Sequence, residues 1–218
     1  MNSTDKALCE HILQVAQALH SQNMLAAADG NISFKVYQDY IFITPSGVAK
    51  ARMDIEDMAV VNSQGRVMVG KASSEMAMHL AVYNSCPKAK AIVHAHPPTA
   101  IAWSIARPDD TELPSDAMSE LILSVGSVPI VPYARPGTEE MGSVLKSYLP
   151  QHRCLILARH GALSWGEDLE EAHKGMERIE HTAIILEKAQ RLGSITTLPK
   201  EEVSYLKEIR KSLGERIL

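Results

Sequence analysis

Leu8, Ile12, Val15 and Leu19 recur at helical spacing behind Ser3-Thr4-Asp5, which predicts an amphipathic first helix over residues 4–22. Residues 32–36 and 40–44 alternate apolar and polar on either side of Gln38-Asp39, as a hairpin does. A second hairpin runs from Met58 to Val69 with its turn at Ser63-Gln64-Gly65. The next helix opens at Ser73-Ser74-Glu75, a serine N-cap followed by an acid on the first turn, with Met76, Leu80 and Tyr83 on one face. Ala91-Ile-Val93 reads as a buried strand that Pro97 and Pro98 stop. Residues 99–106 and 116–124 look helical. Val128-Pro-Ile-Val-Pro-Tyr133 reads as an edge strand, because prolines sit badly in the middle of a sheet. Another helix is expected over 138–148, and Cys154 to Arg159 reads as a buried strand running straight into His160-Gly161, with a further strand beyond. A long helix over 168–191 carries Leu169, Ala172, Met176, Ile179, Ala183 and Leu186 as its stripe, with Asp168 and Glu171 as a capping box. Leu198 to Leu218 closes the chain as a charged helix.

Composition narrows the picture without naming a chemistry. With 218 residues, 45% hydrophobic and 22% charged, the chain can bury its own core and reads most simply as one domain. A net charge of −4 and a sequence pI near 6.1 leave no basic stripe for nucleic acid or anionic membrane, so a phosphate has to be bound locally. The cysteines, Cys9, Cys86 and Cys154, form no disulfide framework and argue for a reducing compartment. The N-terminus lacks a basic region followed by an apolar run, and no 18-residue apolar span occurs, so a cytoplasmic location is expected.

The candidate chemistry starts at His94-Ala-His96-Pro97. On a strand, residues two apart point the same way, so the two imidazoles can share one ion at a strand end; a bare pair reads equally well as two surface histidines on an edge strand. Glu75 on a first helical turn reads as a cap residue, an oxygen ligand or a general base. His160, at the next strand end, repeats the logic of His94. Three imidazoles and one carboxylate suit zinc or a similar borderline divalent ion. His79, one turn beyond Glu75, reads either as plain packing or as a group that orients that carboxylate. His11, His20, His152, His173 and His181 read as solvated. Gly30, Asn31, Thr44, Ser46, Gly47, Ser73 and Ser74 offer amides, hydroxyls and a helix N-terminus suited to an anion, although singly each is an ordinary turn or cap residue.

The ordered set Gly30-Asn31-Ile-Ser33, Thr44-Pro-Ser46-Gly47, Ser73-Ser74-Glu75, His94-Ala-His96-Pro97, Pro132-Tyr-Ala-Arg-Pro-Gly137-Thr138 and His160-Gly161-Ala resembles the class II aldolase/adducin family over about residues 7–190. The resemblance implies a three-layer α/β/α fold around a central, largely antiparallel sheet. It also implies a zinc site on His94, His96 and His160, with Glu75 as ligand and acid/base, and homotetramers with active sites between neighbouring subunits. It makes Gly30, Asn31, Thr44, Ser46, Gly47, Ser73 and Ser74 a cradle for a sugar phosphate, and gives Arg216 of the tail a place near a substrate. The activity it implies is that of an L-fuculose-1-phosphate aldolase-like enzyme, cleaving a ketose 1-phosphate to dihydroxyacetone phosphate and an aldehyde. Glutamate at 75 favours this over the related 4-epimerases, which carry aspartate there. The chain departs from that pattern at the aldehyde end, where Met118 and Leu213 stand in place of tyrosines. Asp116, Tyr133 and Arg135 are the stand-ins, and the only tail tyrosine is Tyr205. The alternatives within the family are decarboxylation of a 3-oxo-tetronate 4-phosphate, dehydration of methylthioribulose 1-phosphate, or epimerisation. A non-catalytic adducin-like scaffold is disfavoured by the compact chain and its full ligand set.

Overall fold

The computed structural model describes residues 2–36, 40–214 and 216–218; the turn expected at Gln38-Asp39 lies outside the described residues. Helix α1 (Ser3–Ser21) starts one residue before its expected bound because Asn2 caps it. The Asn2 side chain accepts from the Asp5 amide at 2.8 Å, and the Asp5 carboxylate accepts from the Asn2 amide. Strands β1 (Asn31–Val36) and β2 (Tyr40–Ile43) make the first hairpin. In the second, β3 (Ala59–Asn62) and β4 (Val67–Val69) are joined by a turn in which Asn62 Oδ1 accepts the amides of Gln64 and Arg66 and Gly65 takes a positive φ of 81°.

The remaining elements are α2 (Met76–Ser85), β5 (Ala91–Ala95), α3 (Pro98–Ala106), α4 (Ser119–Ser124), β6 (Ile130–Val131), α5 (Glu139–Leu145), β7 (Cys154–Leu157), β8 (Gly161–Gly166), α6 (Leu169–Leu192) and α7 (Lys200–Ser212). The strands form one sheet in the order β4-β3-β2-β1-β5-β8-β7-β6. It is antiparallel at every step except β6–β7, as the expected edge position of the proline-flanked strand allows. Alternation along the strands gives the sheet two apolar faces. On one, Ile41, Ile43, Ile92, Leu155 and Leu163 pack against Met78 and Val82 of α2 and Met141 and Leu145 of α5. On the other, Ile32, Val93, Ile156 and Ala162 pack against Ile12 and Leu19 of α1, Trp103 of α3, and Met176 and Ala183 of α6. The result is a three-layer α/β/α arrangement, with α4 and α7 packed on each other through Ile122, Val203 and Leu206. Among the described residues no helix is long and apolar enough to cross a membrane.

Four local expectations need correction. The helix expected over 116–124 is broken at Met118, whose backbone is extended between a 3-10 turn (Ser115–Ala117) and α4. The strand expected to run to Arg159 stops at Leu157, because Arg159 takes the left-handed region at φ 61° and reverses the chain. Helix α2 begins at Met76, so Glu75 is its N-cap residue rather than part of its first turn. The Asp168/Glu171 capping box is half formed: Asp168 accepts the Glu171 amide, but Glu171 turns its carboxylate to the Glu167 amide instead.

Helix α6 lies close on β7 and β8 because Gly175 faces them. A Cβ there would sit 2.9 Å from Cys154 Sγ and 2.7 Å from Ile217 Cδ1. Gly175→Ala should therefore overpack this seam by about 1–3 kcal/mol, outweighing the gain in helix propensity of about 1 kcal/mol. Its urea midpoint should fall below that of the parent and of Glu170→Ala on the exposed face of α6; an unchanged midpoint contradicts this packing.

Candidate active site

The register between β1 and β5 sets Asn31 opposite His94, and that between β5 and β8 sets His94 opposite Leu163. His94 is the penultimate residue of β5, His96 lies just past the strand's end, and His160 sits on the tight turn between β7 and β8. The three rings meet with centroids 4.9–5.2 Å apart, and one nitrogen from each lies within 4.8 Å of the others. Gly161 makes this approach possible: a Cβ at that position would come 2.6 Å from the Ala95 carbonyl and 2.8 Å from His94 Cε1. His94 Nδ1 donates to the Ala162 carbonyl at 2.9 Å, which leaves Nε2 as the lone pair facing the cluster. That Nε2 is 3.1 Å from Glu75 Oε2 and 3.3 Å from His96 Nε2, and His160 Nε2 is 3.3 Å from Glu75 Oε1.

Behind Glu75 runs a buried chain of polar groups. Asn31 Nδ2 donates to Glu75 Oε2 at 2.8 Å, Asn31 Oδ1 meets His79 Nε2, and His79 Nδ1 meets Ser33 Oγ at 2.7 Å. Ser33 Oγ is 2.8 Å from the Tyr83 hydroxyl, which donates to the Lys90 carbonyl. His79 thus acts on the carboxylate through Asn31, not directly. Burial pushes the His79 imidazole down to about 3 and the His160 imidazole down to about 4, so both rest neutral. Burial alone would raise Glu75, but His94, His160 and the Asn31 amide together hold it well below the usual carboxylate range. The site therefore combines a neutral His160 imidazole with an ionised carboxylate.

A cleft of about 560 Å³ opens in front of this cluster, walled by Gly30, Asn31, Ser46, Gly47, Ser73, Ser74, Glu75, His96 and His160, and also by Asp29, Lys50 and Gly137. Most of the expected cradle is thus gathered beside the histidines, but two members behave otherwise than expected. Thr44 is fully buried with Oγ1 accepting from the Ile32 amide, and it is not among the residues walling the cleft. The Asn31 side chain is committed to Glu75 and His79 rather than offered to an anion. Ser73 Oγ accepts the Glu75 amide at 3.2 Å, fixing the residue that carries the carboxylate. Gly30, at φ 69°, lets the chain pass close to β5, where a Cβ would meet the His94 carbonyl at 2.8 Å. None of His11, His20, His152, His173 and His181 walls the cleft, although His11, His152 and His173 are half-buried rather than solvated.

Sequence reasoning missed Asp29, Lys50 and Ser33. Asp29 Oδ2 lies 3.4 Å from His96 Nδ1. Ser33 was findable, since it shares a strand face with Asn31. Neither Asp116 nor Tyr133 nor Arg135 walls the cleft; Asp116 is paired with Lys207 at 3.1 Å. Arg216 bonds Asp168 and Glu171 at 3.0 and 3.1 Å, beyond the end of β8 opposite to His160, and so takes no part in its own chain's cleft.

The donors fit a divalent metal ion. One nitrogen of each of three imidazoles converges on a common point, and Glu75 Oε1 beside them is buried without a hydrogen bond.

Known proteins resemble this chain in sequence and in fold. The family described as Class II Aldolase and Adducin N-terminal domain matches residues 10–186. The chain is 30% identical over 185 residues to a 3-oxo-tetronate 4-phosphate decarboxylase of Haemophilus influenzae, covering 83% of this chain and 87% of the relative. It is also 30% identical over 216 residues to a 5-deoxy-D-ribulose 1-phosphate aldolase of Bacillus thuringiensis serovar kurstaki, covering 95% and 97%. Among solved structures, an L-fuculose 1-phosphate aldolase superimposes with a TM-score of 0.85 at 27% identity, over 97% of this chain and 98% of that one.

His94→Ala and His160→Ala should each weaken metal binding by at least about a hundredfold, since each removes one of three nitrogen donors. Elemental analysis after gel filtration reads this directly, and a variant that keeps the parent's metal content contradicts the cluster as the metal site.

Proposed function

The chain belongs to the class II aldolase and adducin family, and on that footing we propose that it is a zinc-dependent lyase that breaks a carbon–carbon bond beside the carbonyl of a phosphorylated short sugar. His94, His96, His160 and Glu75 would hold the ion, which when bound supplies Lewis-acid stabilisation of the negative charge left by bond cleavage. The cradle of Gly30, Ser46, Gly47, Ser73 and Ser74 orients the substrate by its phosphate and so fixes which carbon faces Glu75. Glu75, held by Asn31 from behind, carries a proton to that carbon through Oε1, the oxygen without a hydrogen bond.

The reaction this geometry supports best is decarboxylation of a 3-oxo-tetronate 4-phosphate. The observation that carries it is the missing acid/base at the far end of the cleft. A retro-aldol step must take a proton from the C4 hydroxyl, and Met118, Leu213, Asp116, Tyr133 and Arg135 all fail to wall the cleft. Loss of carbon dioxide needs no such group, because the electron pair of the C1–C2 bond stays on C2 and the fragment leaves neutral. The second reading, a ketose 1-phosphate aldolase of the fuculose-phosphate type, is favoured by the aldolase relative that spans 95% of this chain, tail included. In that case a neighbouring subunit supplies the missing group.

Incubating the zinc-loaded protein with 3-oxo-tetronate 4-phosphate, and separately with dihydroxyacetone phosphate plus an aldehyde panel, tests the choice by NMR. Dihydroxyacetone phosphate appearing in the first, with no ketose phosphate formed in the second, is expected. Adducts in the second alone select the aldolase. Glu75→Gln should slow either reaction at least about a hundredfold. We also propose a homotetramer, on the family resemblance; light scattering that gives a monomer's mass refutes it.

A further inference from the structure

One cation other than histidine walls the cleft among the described residues, and it is buried. Lys50, the first residue of a short 3-10 turn (Lys50–Arg52), is 3% exposed. Its Nζ donates to the carbonyls of Ala28 and Val48, both at 2.8 Å. Those carbonyls belong to the two segments that carry Gly30 on one side and Ser46-Gly47 on the other. The ammonium therefore sits where the two arms of the cradle meet.

An ammonium has three donors, and the two carbonyls occupy two of them. Among the described residues no carboxylate pairs with Nζ: Asp29 is turned to His96, and Glu75 to His94, His160 and Asn31. Burial pulls the Lys50 pKa down and the attraction of Asp29 and Glu75 only partly offsets this, so a closer anion would stabilise the buried charge. The remaining neighbours identify what the ion would be. Ser46, Ser73 and Ser74 offer hydroxyls, Gly47 at φ 76° leaves open space above its Cα, and the cleft's fixed carboxylates, Asp29 and Glu75, are negative. A neutral cradle facing two carboxylates binds a dianion poorly unless a cation offsets them.

We propose that Lys50 is the counter-ion of the substrate's phosphate, its third N–H donated to a phosphoryl oxygen seated between Ser46-Gly47 and Ser73-Ser74. The assignment rests on the reading that this cradle takes a phosphate, but not on which lyase reaction follows. It gives the cleft a polarity, with the anionic end of the substrate at Lys50 and the carbonyl end at Glu75 and the histidines. It also makes Lys50 selective for phosphorylated over free sugars.

The test uses inorganic phosphate and dihydroxyacetone phosphate as probes, read by titration calorimetry, so it is independent of turnover. Lys50→Met, which keeps the apolar stem, should weaken both at least about tenfold, whereas Lys50→Arg, which keeps the charge, should stay within about threefold of the parent. A Lys50→Met protein that melts like the parent and binds both probes equally well overturns the proposal and leaves Lys50 as a staple between two loops, with the cradle itself intact. A parent protein that binds neither probe overturns the cradle and the proposal together. A measurement without any variant comes from 15N-labelled lysine: phosphate should shift the slowly exchanging buried ammonium resonance of the parent, and an unmoved signal at saturating phosphate overturns the proposal even where Lys50→Met fails to fold.

Discussion

The pairing of β1 with β5 is the constraint on which the cleft depends. Opposite residues of adjacent strands share a face, so setting Asn31 against His94 puts an amide and an imidazole side by side beneath the start of α2. Glu75 is then gripped from both, at 2.8 Å by Asn31 and 3.1 Å by His94. A slip of one residue would send Asn31 and Ser33 to the α1 face, taking from Glu75 its amide donor and from the buried His79 both of its side-chain partners. The register is protected by what lies either side of those residues: Ile32 and Phe34 belong to the opposite core and cannot be exchanged for Asn31 and Ser33 without burying unsatisfied polar groups.

The same register explains why His79 is neutral. Burial, and then the neighbouring His94, push its pKa down to about 3, so it bridges Asn31 and Ser33 as a hydrogen-bonding ring and adds no charge behind Glu75. Charge in this region is confined to the cleft surface. Glu75 and Asp29 lie on the histidine side and Lys50 lies where the two cradle arms join. The interior chain is fully bonded as far as the Lys90 carbonyl, which is the condition under which a buried polar network rigidifies rather than destabilises.

Much of this was legible in the chain, and the failures have physical causes. Period-two and period-3.6 patterns located the hairpins, α1 and α6, because each buries one face against a single layer. The His94-Ala-His96 pair read equally well as surface histidines, and only its company with Glu75 and His160 in an ordered set of motifs singled the three histidines out. What the pattern could not carry was local backbone geometry: the left-handed Arg159 that shortens β7, and the extended Met118 that splits a helix. Thr44 read as a cradle hydroxyl, yet a threonine at a strand end also satisfies a neighbouring amide, and here it serves Ile32. Lys50 was invisible for a different reason. A lysine after Gly47-Val-Ala reads as a solvated loop residue, and only the fold shows that two carbonyls from distant segments draw it inside.

The two candidate reactions are less different than their names suggest. Loss of carbon dioxide from a 3-oxo-tetronate 4-phosphate and cleavage of the C3–C4 bond of a ketose 1-phosphate both leave the same three-carbon enediolate, and one proton turns it into dihydroxyacetone phosphate. In the proposed function Glu75, the cradle and the histidines would face this shared fragment and so serve either reaction equally. The separation lies in the fragment that leaves, and there the chain's own residues are turned away. The Asp116 carboxylate pairs with Lys207 and its backbone carbonyl accepts the Leu198 amide, while Arg216 and the Ile217 amide are tied to Glu171 beyond the far end of β8. Groups committed to holding the C-terminal segment in place are not free to shuttle a proton for an aldehyde. On the proposed reading, one chain's cleft would serve the half-reaction that needs a phosphate grip, an electron sink and a single acid, with carbon dioxide as the leaving fragment that asks for nothing more.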